Sequence, residues 1–478
     1  MAIETAPVSH EITVATTDDM PFIRETIARL RLDGERLKAE QFIVLRRPDS
    51  GGIIGFGRVK PYRRTHELAG VAVVEEERGR GWGELIVREL VRRFPQDEVY
   101  VTTDIPEYFQ RLGFLPTEAL PPELAAKIER VCEGLRPGAV GLVYDRRYER
   151  LPTLADVYAA REAIRPYLKP TPIVRNPMLS RLLDAEVYLK LENLQPIGAF
   201  KVRGGVNLAL SLPEEDRRRG IVGASTGNHG QSLAYAANLL GIRCLIAMPR
   251  RPNPLKAQAI RDLRAEVAEH GRDFEAARAW AESFAAREGM RYVHHSNSPE
   301  LVAGVATVSL EIVEELPEVD VIIVPVGGGS GVVGHCLVAK ALRPQVQVIG
   351  VQAAGAPAVF RSWKERKIQN TPIDTFAEGL ATGTAFYSPL RTMIEGMDDM
   401  VLVSDAEMAE AIVLLLRSAR QLAEPAGAAS TAAALKLART GARRGGQRLK
   451  GKTVALIVSG GNLPPEELRR ILAPRRRR

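Results

Sequence analysis

At 478 residues the chain is too long for one ordinary domain and long enough to fill two or three separate cores. With 45% hydrophobic and 26% charged residues it has the make-up of a soluble globular protein, and it contains no apolar run of the roughly 18 residues that a membrane helix needs. The formal charge of +8 sits largely in the clusters RRR at 217–219, RRGGQR at 443–448 and RRRR at 475–478, with no aromatic residues interleaved, so nucleic acid is not an expected partner.

The opening MAIETAPVSHEITV has no basic region followed by an apolar one, so no secretory signal is expected. Residues 19–31 (DMPFIRETIARLR) carry apolar side chains at helical spacing. Strands are predicted at 40–47, 52–60 and 68–74, a helix from Trp82 to Phe94, a strand at 98–103 and a short helix within 105–114. The stretch 134–153, with its Gly and Pro residues and the charged DRRYER, reads as a connection between domains. From Thr153 onward helical patterns, among them 229–240, 274–289 and 405–422, alternate with short apolar strands. Those strands are predicted at 187–191, 221–224, 243–248, 321–326, 346–351 and 453–458, the pattern of a parallel α/β sheet covered by helices. The cysteines Cys132, Cys244 and Cys336 are scattered and lack metal spacing, which suits a reducing cytoplasm, the location we expect.

Two glycine-rich loops have the makings of anion sites. ERGRGWG at 77–83 joins an apolar strand to a helix carrying Leu85, Ile86 and Leu90. Backbone N–H groups at that helix start can cradle a pyrophosphate, and Gly79, Gly81 and Gly83 let the backbone come close; a plain strand-to-helix turn is the rival reading. Gly327-Gly328-Gly329-Ser330-Gly331 follows the strand VIIVPV and precedes a helix predicted from near Val332, an arrangement suited to a phosphate monoester. A dinucleotide loop fits less well, because the spacing does not give GxGxxG and no ribose-binding acid follows.

The segments GAFKVRGG (198–205), GASTGNHG (223–230), VPVGGGSG (324–331), EPAGAAS (424–430) and VSGGN (458–462) occur in the order seen in pyridoxal-phosphate (PLP) enzymes of fold type II, the tryptophan-synthase-β-like class. Within it, residues 150–478 resemble the serine/threonine dehydratases, or ammonia-lyases. The resemblance implies two α/β subdomains with PLP between them, an amino-acid substrate and a homo-oligomer, dimeric or tetrameric. It makes Lys201 the lysine that carries the cofactor and then takes the Cα proton, with Phe200 packing beside it. It places Asn228 on the ring oxygen, Gly327, Gly328, Gly329, Ser330 and Gly331 on the phosphate, Glu424 near the ring and Ser459 opposite the pyridine nitrogen. Ser225, Thr226, Gly227 and His229 would receive the substrate, Thr226 also being a candidate catalytic hydroxyl. A neutral partner at the ring nitrogen makes a milder electron sink, which favours β-elimination.

Residues 10–148, through ERGRGWG and the later YFQRLGF, resemble the acetyl-CoA-binding core of the N-acetyltransferase superfamily, again α/β. By that likeness Arg78, Gly79, Arg80, Gly81, Trp82 and Gly83 hold the pyrophosphate of acetyl-CoA and Tyr108 protonates the departing thiolate. Where some relatives of the second module carry the acids of a divalent-cation site, this chain has Gln352, Ala354 and Ala358, so no such metal is expected. The reaction implied is dehydration and deamination of L-threonine or L-serine to a 2-oxo acid and ammonia. Serine racemisation, or elimination from a bulkier β-hydroxy amino acid, stays open on the same scaffold. So does a protein of another class, an acetyl-CoA-binding regulator or N-acetyltransferase whose lyase module is silent.

Overall fold

The computed structural model describes residues 11–118, 120–132, 138–296, 298–443 and 448–473. The opening stretch 1–10, the run 475–478 and most of the 443–448 cluster lie outside these, as does the side chain of Cys132; Cys244 and Cys336 are buried free thiols. Among the described residues no helix is long and apolar enough to cross a membrane. The chain divides into two compact units, Met1–Glu149 with Arg366–Gln369, and Arg150–Glu365 with Asn370–Arg478.

The first unit is built on strands β1 (Glu11–Val14), β2 (Phe42–Arg46), β3 (Ile53–Pro61), β4 (His66–Val73), β5 (Glu98–Thr103), β6 (Leu115–Pro116) and β7 (Val140–Asp145). They form one sheet in the order β1-β2-β3-β4-β5-β7-β6. Alternation along β2 sends Phe42 and Val44 to one face, where the helix Met20–Arg29 covers them with Ile23 and Ile27. Ile43 and Leu45 go to the other face, under Ile86, Val87 and Leu90 of the helix Trp82–Arg93. That helix lies so close to β3 that a Cβ at Gly55 or Gly57 would stand 2.9 Å from Ile86 or 2.7 Å from Leu90, which is why β3 reads IIGFG. Residues 140–145 do not belong to a linker as the sequence suggested: they pair antiparallel with β5, Glu98 opposite Asp145 and Thr103 opposite Val140. β4 and β5 run parallel and pair only at Glu67 and Tyr100, so beyond that point they splay.

The second unit holds two sheets. β10 (Ile221–Ala224), β11 (Cys244–Met248), β12 (Glu266–Glu269) and β13 (Arg291–Val293) form an all-parallel sheet in the order β12-β11-β10-β13. β8 (Ile173–Arg175), β9 (Glu186–Lys190), β14 (Val321–Pro325), β15 (Gln347–Ala353), β16 (Asp399–Val403) and β17 (Thr453–Ile457) form the other, in the order β16-β15-β14-β17-β9-β8 and parallel except for β8. Interior strands such as β10 and β11 are buried at every residue, as strands covered by helices on both faces must be. The long helix Pro299–Glu315 is apolar along nearly its whole length and buried to match.

A buried ion network ties these layers together. Arg203, on the helix Lys201–Ser211, donates to Glu192 at 2.8 and 2.8 Å and to Glu311 at 2.6 and 2.9 Å. Lys190, the last residue of β9, donates to Thr171 O at 2.7 Å and to Glu311. Burial alone would push Glu192 up, but Arg203 beside it outweighs that and holds the carboxyl below its usual range. Because each charge has its partner inside, removing one leaves another stranded. Arg203→Leu is therefore expected to cost about 3–5 kcal/mol of stability, read from the urea midpoint of the second unit. A loss under about 1 kcal/mol would show that the network relaxes without it.

Candidate active site

Three loops at the carboxyl ends of β10, β14 and β17 meet the segment that runs from β9 into the helix Lys201–Ser211, where open α/β sheets bind ligands. The segment is strapped to the last loop: Phe200 N donates to Ser459 O at 3.0 Å, Gly461 N to Gly198 O at 2.8 Å, and Ala199 bridges Gly460. Gly198 has φ +66, and a Cβ there would stand 2.8 Å from Asn462 Oδ1, so glycine is required. Lys201 opens its helix, and its carbonyl accepts from Ser232 Oγ at 2.6 Å. Its side chain is partly buried, with no carboxylate partner among the described residues, and donates to Ser330 Oγ at 2.6 Å. Burial lowers this amine to about 8.

The glycine run is a cradle in which side chains have no room. A Cβ at Gly327 would lie 2.2 Å from Gly379 O, at Gly328 2.2 Å from Ser296 Oγ, and at Gly331 3.2 Å from the Phe200 ring. Gly329 caps the helix Ser330–Leu342 at φ +102 and offers no side chain to its first N–H groups. The helix thus starts at Ser330 rather than near Val332, which brings the Ser330 hydroxyl to Lys201.

In the loop 225–229 the roles divide. Ser225, expected among the substrate-binding residues, is buried, and its hydroxyl shapes the loop by accepting from Gly227 N at 3.1 Å and Gly230 N at 2.9 Å. Thr226 is the exposed hydroxyl of the pair. Asn228 donates to Glu424 Oε1 at 2.7 Å and accepts from Asn462 Nδ2 at 2.8 Å. Burial raises Glu424 to about 7, against the opposing pull of Asn228 and Lys256. His229 is buried with Nε2 unpartnered, and burial, then Lys201 and His295, hold it well below the usual imidazole range. Ser459 is buried too.

Sequence reasoning missed several neighbours. Asn462 closes the Asn228–Glu424 chain and lay in the SGGN motif already in view. His295 sits 6.2 Å from His229 between ring centroids, and burial and Lys201 lower it to about 3. The buried Ser296 Oγ has no hydrogen-bond partner among the described residues. Lys256 pairs with Glu378 beside Gly227. Gln352, where a metal ligand would have stood, accepts from Phe360 N at 2.9 Å.

The first unit has its own cavity of about 820 Å³, lined by Arg78, Gly79, Gly81, Trp82, Gly83 and Tyr108 among others. Gly79 and Gly81 adopt φ +80 and +84, and a Cβ at Gly83 would stand 2.6 Å from the Tyr108 hydroxyl. Arg80, expected with them, does not line the cavity; it pairs with Glu77 at 3.0 Å and is mostly exposed.

A partly buried amine without an anion, a side-chain-free cradle at a helix start, and His229 and Ser296 atoms orphaned among the described residues suit a phosphorylated aldehyde. Fold and site together define a PLP-dependent enzyme of fold type II. Residues 164–460 match the family model of pyridoxal-phosphate dependent enzymes, and the chain belongs to that family. Residues 38–116 match the acetyltransferase (GNAT) domain. The L-threonine ammonia-lyase of Thermotoga maritima is 37% identical over 323 residues, covering 67% of this chain and 78% of the relative. The catabolic L-threonine dehydratase of Staphylococcus aureus is 35% identical over 316 residues, covering 65% and 89%. Among solved structures, a threonine deaminase from T.th. superposes with a TM-score of 0.60 at 33% identity (66% of this chain, 99% of that one). Maize serine racemase gives 0.63 at 28% identity (67% and 96%).

An amine captures an aldehyde only when neutral, so with Lys201 as the capturing residue uptake of the cofactor by the apoprotein should quicken about tenfold per pH unit below 8 and level off above it. Stopped-flow absorbance measures this. A rate still climbing steeply through pH ~10, the ordinary lysine range, would refute the desolvated amine.

Proposed function

We propose that the second unit converts L-threonine, and L-serine with it, to the 2-oxo acid and ammonia. The observation that carries this reading is the Lys201 amine, partly buried, with no carboxylate partner among the described residues, and bonded to Ser330 where the glycine cradle opens its helix. When bound, PLP supplies the electron sink that removal of the Cα proton demands. Gly327 to Gly331 and the start of the helix Ser330–Leu342 hold its phosphate, Asn228 its ring oxygen, and Phe200 packs beside it. Lys201 holds the cofactor, then takes the Cα proton as its neutral amine. Thr226 and the backbone of Gly227 receive the substrate carboxylate, while neutral His229 leaves the site without a competing cation. Ser459, a hydroxyl, would stand opposite the ring nitrogen and leave it uncharged; the proton that Lys201 gains from Cα balances the one the β-hydroxyl needs to leave as water, and the enamine released takes up water to give the 2-oxo acid and ammonia. Exposed apolar side chains at Val174, Met178, Leu182 and Leu194 favour a homo-oligomeric unit.

An amino-acid screen for 2-oxo acid formation tests the assignment: L-threonine and L-serine should lead it. Lys201→Ala should fall below about one thousandth of wild-type turnover. After borohydride treatment the cofactor should map to Lys201; a label on Lys190 would overturn the assignment. D-Serine accumulating from L-serine in place of pyruvate would favour racemisation, for which the exposed Thr226 hydroxyl is the candidate.

For the first unit we propose that the loop 77–83 binds the pyrophosphate of acetyl-CoA, supported by the positive-φ glycines and the cavity behind them. Acetyl-CoA should raise the melting temperature of the unit by mass action. Gly81→Glu, which forces a side chain onto φ +84 and sets a negative charge at the loop, should abolish that shift and leave PLP absorbance intact. A shift retained in Gly81→Glu would place the ligand elsewhere.

A further inference from the structure

The lining of the first unit's cavity includes Asp33, Thr102 and Lys127. Lys127 is buried, and its ammonium donates to Glu67 at 2.7 and 2.8 Å and to Thr102 Oγ1 at 3.1 Å, and lies 3.1 Å from Asp33. Glu67 is buried on β4 beside the single point where β4 meets β5, and also accepts from Tyr62 at 2.9 Å. Tyr108 lines the same cavity, its hydroxyl buried without a hydrogen-bond partner among the described residues and next to the glycine loop.

Acyl transfer to an amine makes a fixed demand. An acceptor arrives as an ammonium and must lose a proton before its nitrogen can form the new N–C bond. The C–S bond then breaks, and the thiolate leaves with a proton that a hydroxyl such as Tyr108 can give. A carboxylate has to bind the ammonium and take its proton. Asp33 on the cavity wall, and Glu67 against which Lys127 is held, already have an ammonium, and it is the chain's own. Burial would raise Asp33, but Lys127 and Lys60 bring it down to about 2, far too weak a base for an amine. Burial would lower Lys127, but Glu67 and Asp33 raise it, so it stays charged and is no nucleophile itself. The other acids lining the cavity are engaged as well: Glu77 with Arg47 at 2.9 Å and Arg80 at 3.0 Å, Glu84 with Arg88 at 2.7 Å, and Asp104 with a partner of its own.

We infer that the N-terminal module binds acetyl-CoA without passing the acetyl group on, because Lys127 fills the position an acceptor amine would occupy. This rests on the acetyl-CoA reading above and gives it a sense: a cavity that reports a thioester rather than consuming it.

The test uses the full-length protein. Calorimetric titration with acetyl-CoA comes first; absence of heat at near-millimolar ligand removes the acetyl-CoA reading itself, and the inference with it. With binding present, thiol release is followed with a chromogenic disulfide in the presence of ethylamine, spermidine and a short peptide. Wild type should stay at the buffer rate, and its intact mass should not change. Lys127→Ala opens the position, and with ethylamine to refill it thiol release should rise at least tenfold, while Lys127→Arg keeps the position filled and stays silent. Release by wild type above the buffer rate, an acetyl group found on Lys127, or no rise in a Lys127→Ala protein that still binds acetyl-CoA would each overturn the inference. Should Lys127→Ala lose binding because Glu67 is stranded, Lys127→Ala with Glu67→Gln removes both charges. That variant should bind acetyl-CoA and stay silent with ethylamine; turnover by it would show that Glu67 is not the base and overturn the inference.

Discussion

Arg203 lies two residues along its helix from Lys201, and its guanidinium is the joint on which the second unit turns. It bonds the 3-10 turn that follows β9, through Glu192, and the long helix Pro299–Glu315, through Glu311. Thr171 and Lys190 close the same network from the strand side. A planar fork with five donors can hold two carboxylates at once and keep each at a set angle. Everything the site requires of Lys201, its burial and its aim at Ser330, depends on that helix not rotating or sliding. The network spends its charges on holding position, which lets Lys201 itself stay free of them.

The two buried lysines that matter show how little burial decides alone. Lys201 has a hydroxyl for a neighbour and becomes a weak cation, ready to act as an amine. Lys127 has two carboxylates and becomes a strong one, fit to hold an acidic cavity wall together. Desolvation pushes both the same way; the sign of the result is set by the anions within reach.

What was legible in the sequence follows from where each residue sits in its sheet. The interior strands β9, β10, β11, β14, β15 and β17 all stood out as apolar runs, because both of their faces are buried. β8, β12, β13 and β16 went unseen; each is a sheet edge, short and partly polar as at Glu266–Glu269, and gives no such signal. Val140–Asp145 hid among glycines and charges that read as linker, although Leu142 and Asp145 are buried. In the site, motifs with their own backbone demands were visible: the glycine cradle, the asparagine loop and the terminal SGGN. The inward turn of Ser225 was not, since it is set by the loop's own N–H groups at Gly227 and Gly230, nor was the approach of His295 and Ser296, which comes from chain folding back across a long separation. The same holds for the partners of Lys127, spread over residues 33, 67 and 102.

The single rung between β4 and β5 has a mechanical meaning. A continuous sheet carries load from strand to strand; here one pair, Glu67 with Tyr100, does so alone, and beyond it the first unit is two half-sheets hinged at one end. Stiffness across the unit then rests less on strand pairing than on the packing against the sheet, where one apolar cluster takes in Leu68 of β4 and Val99 and Val101 of β5 together with Ile86, Val87 and Leu90.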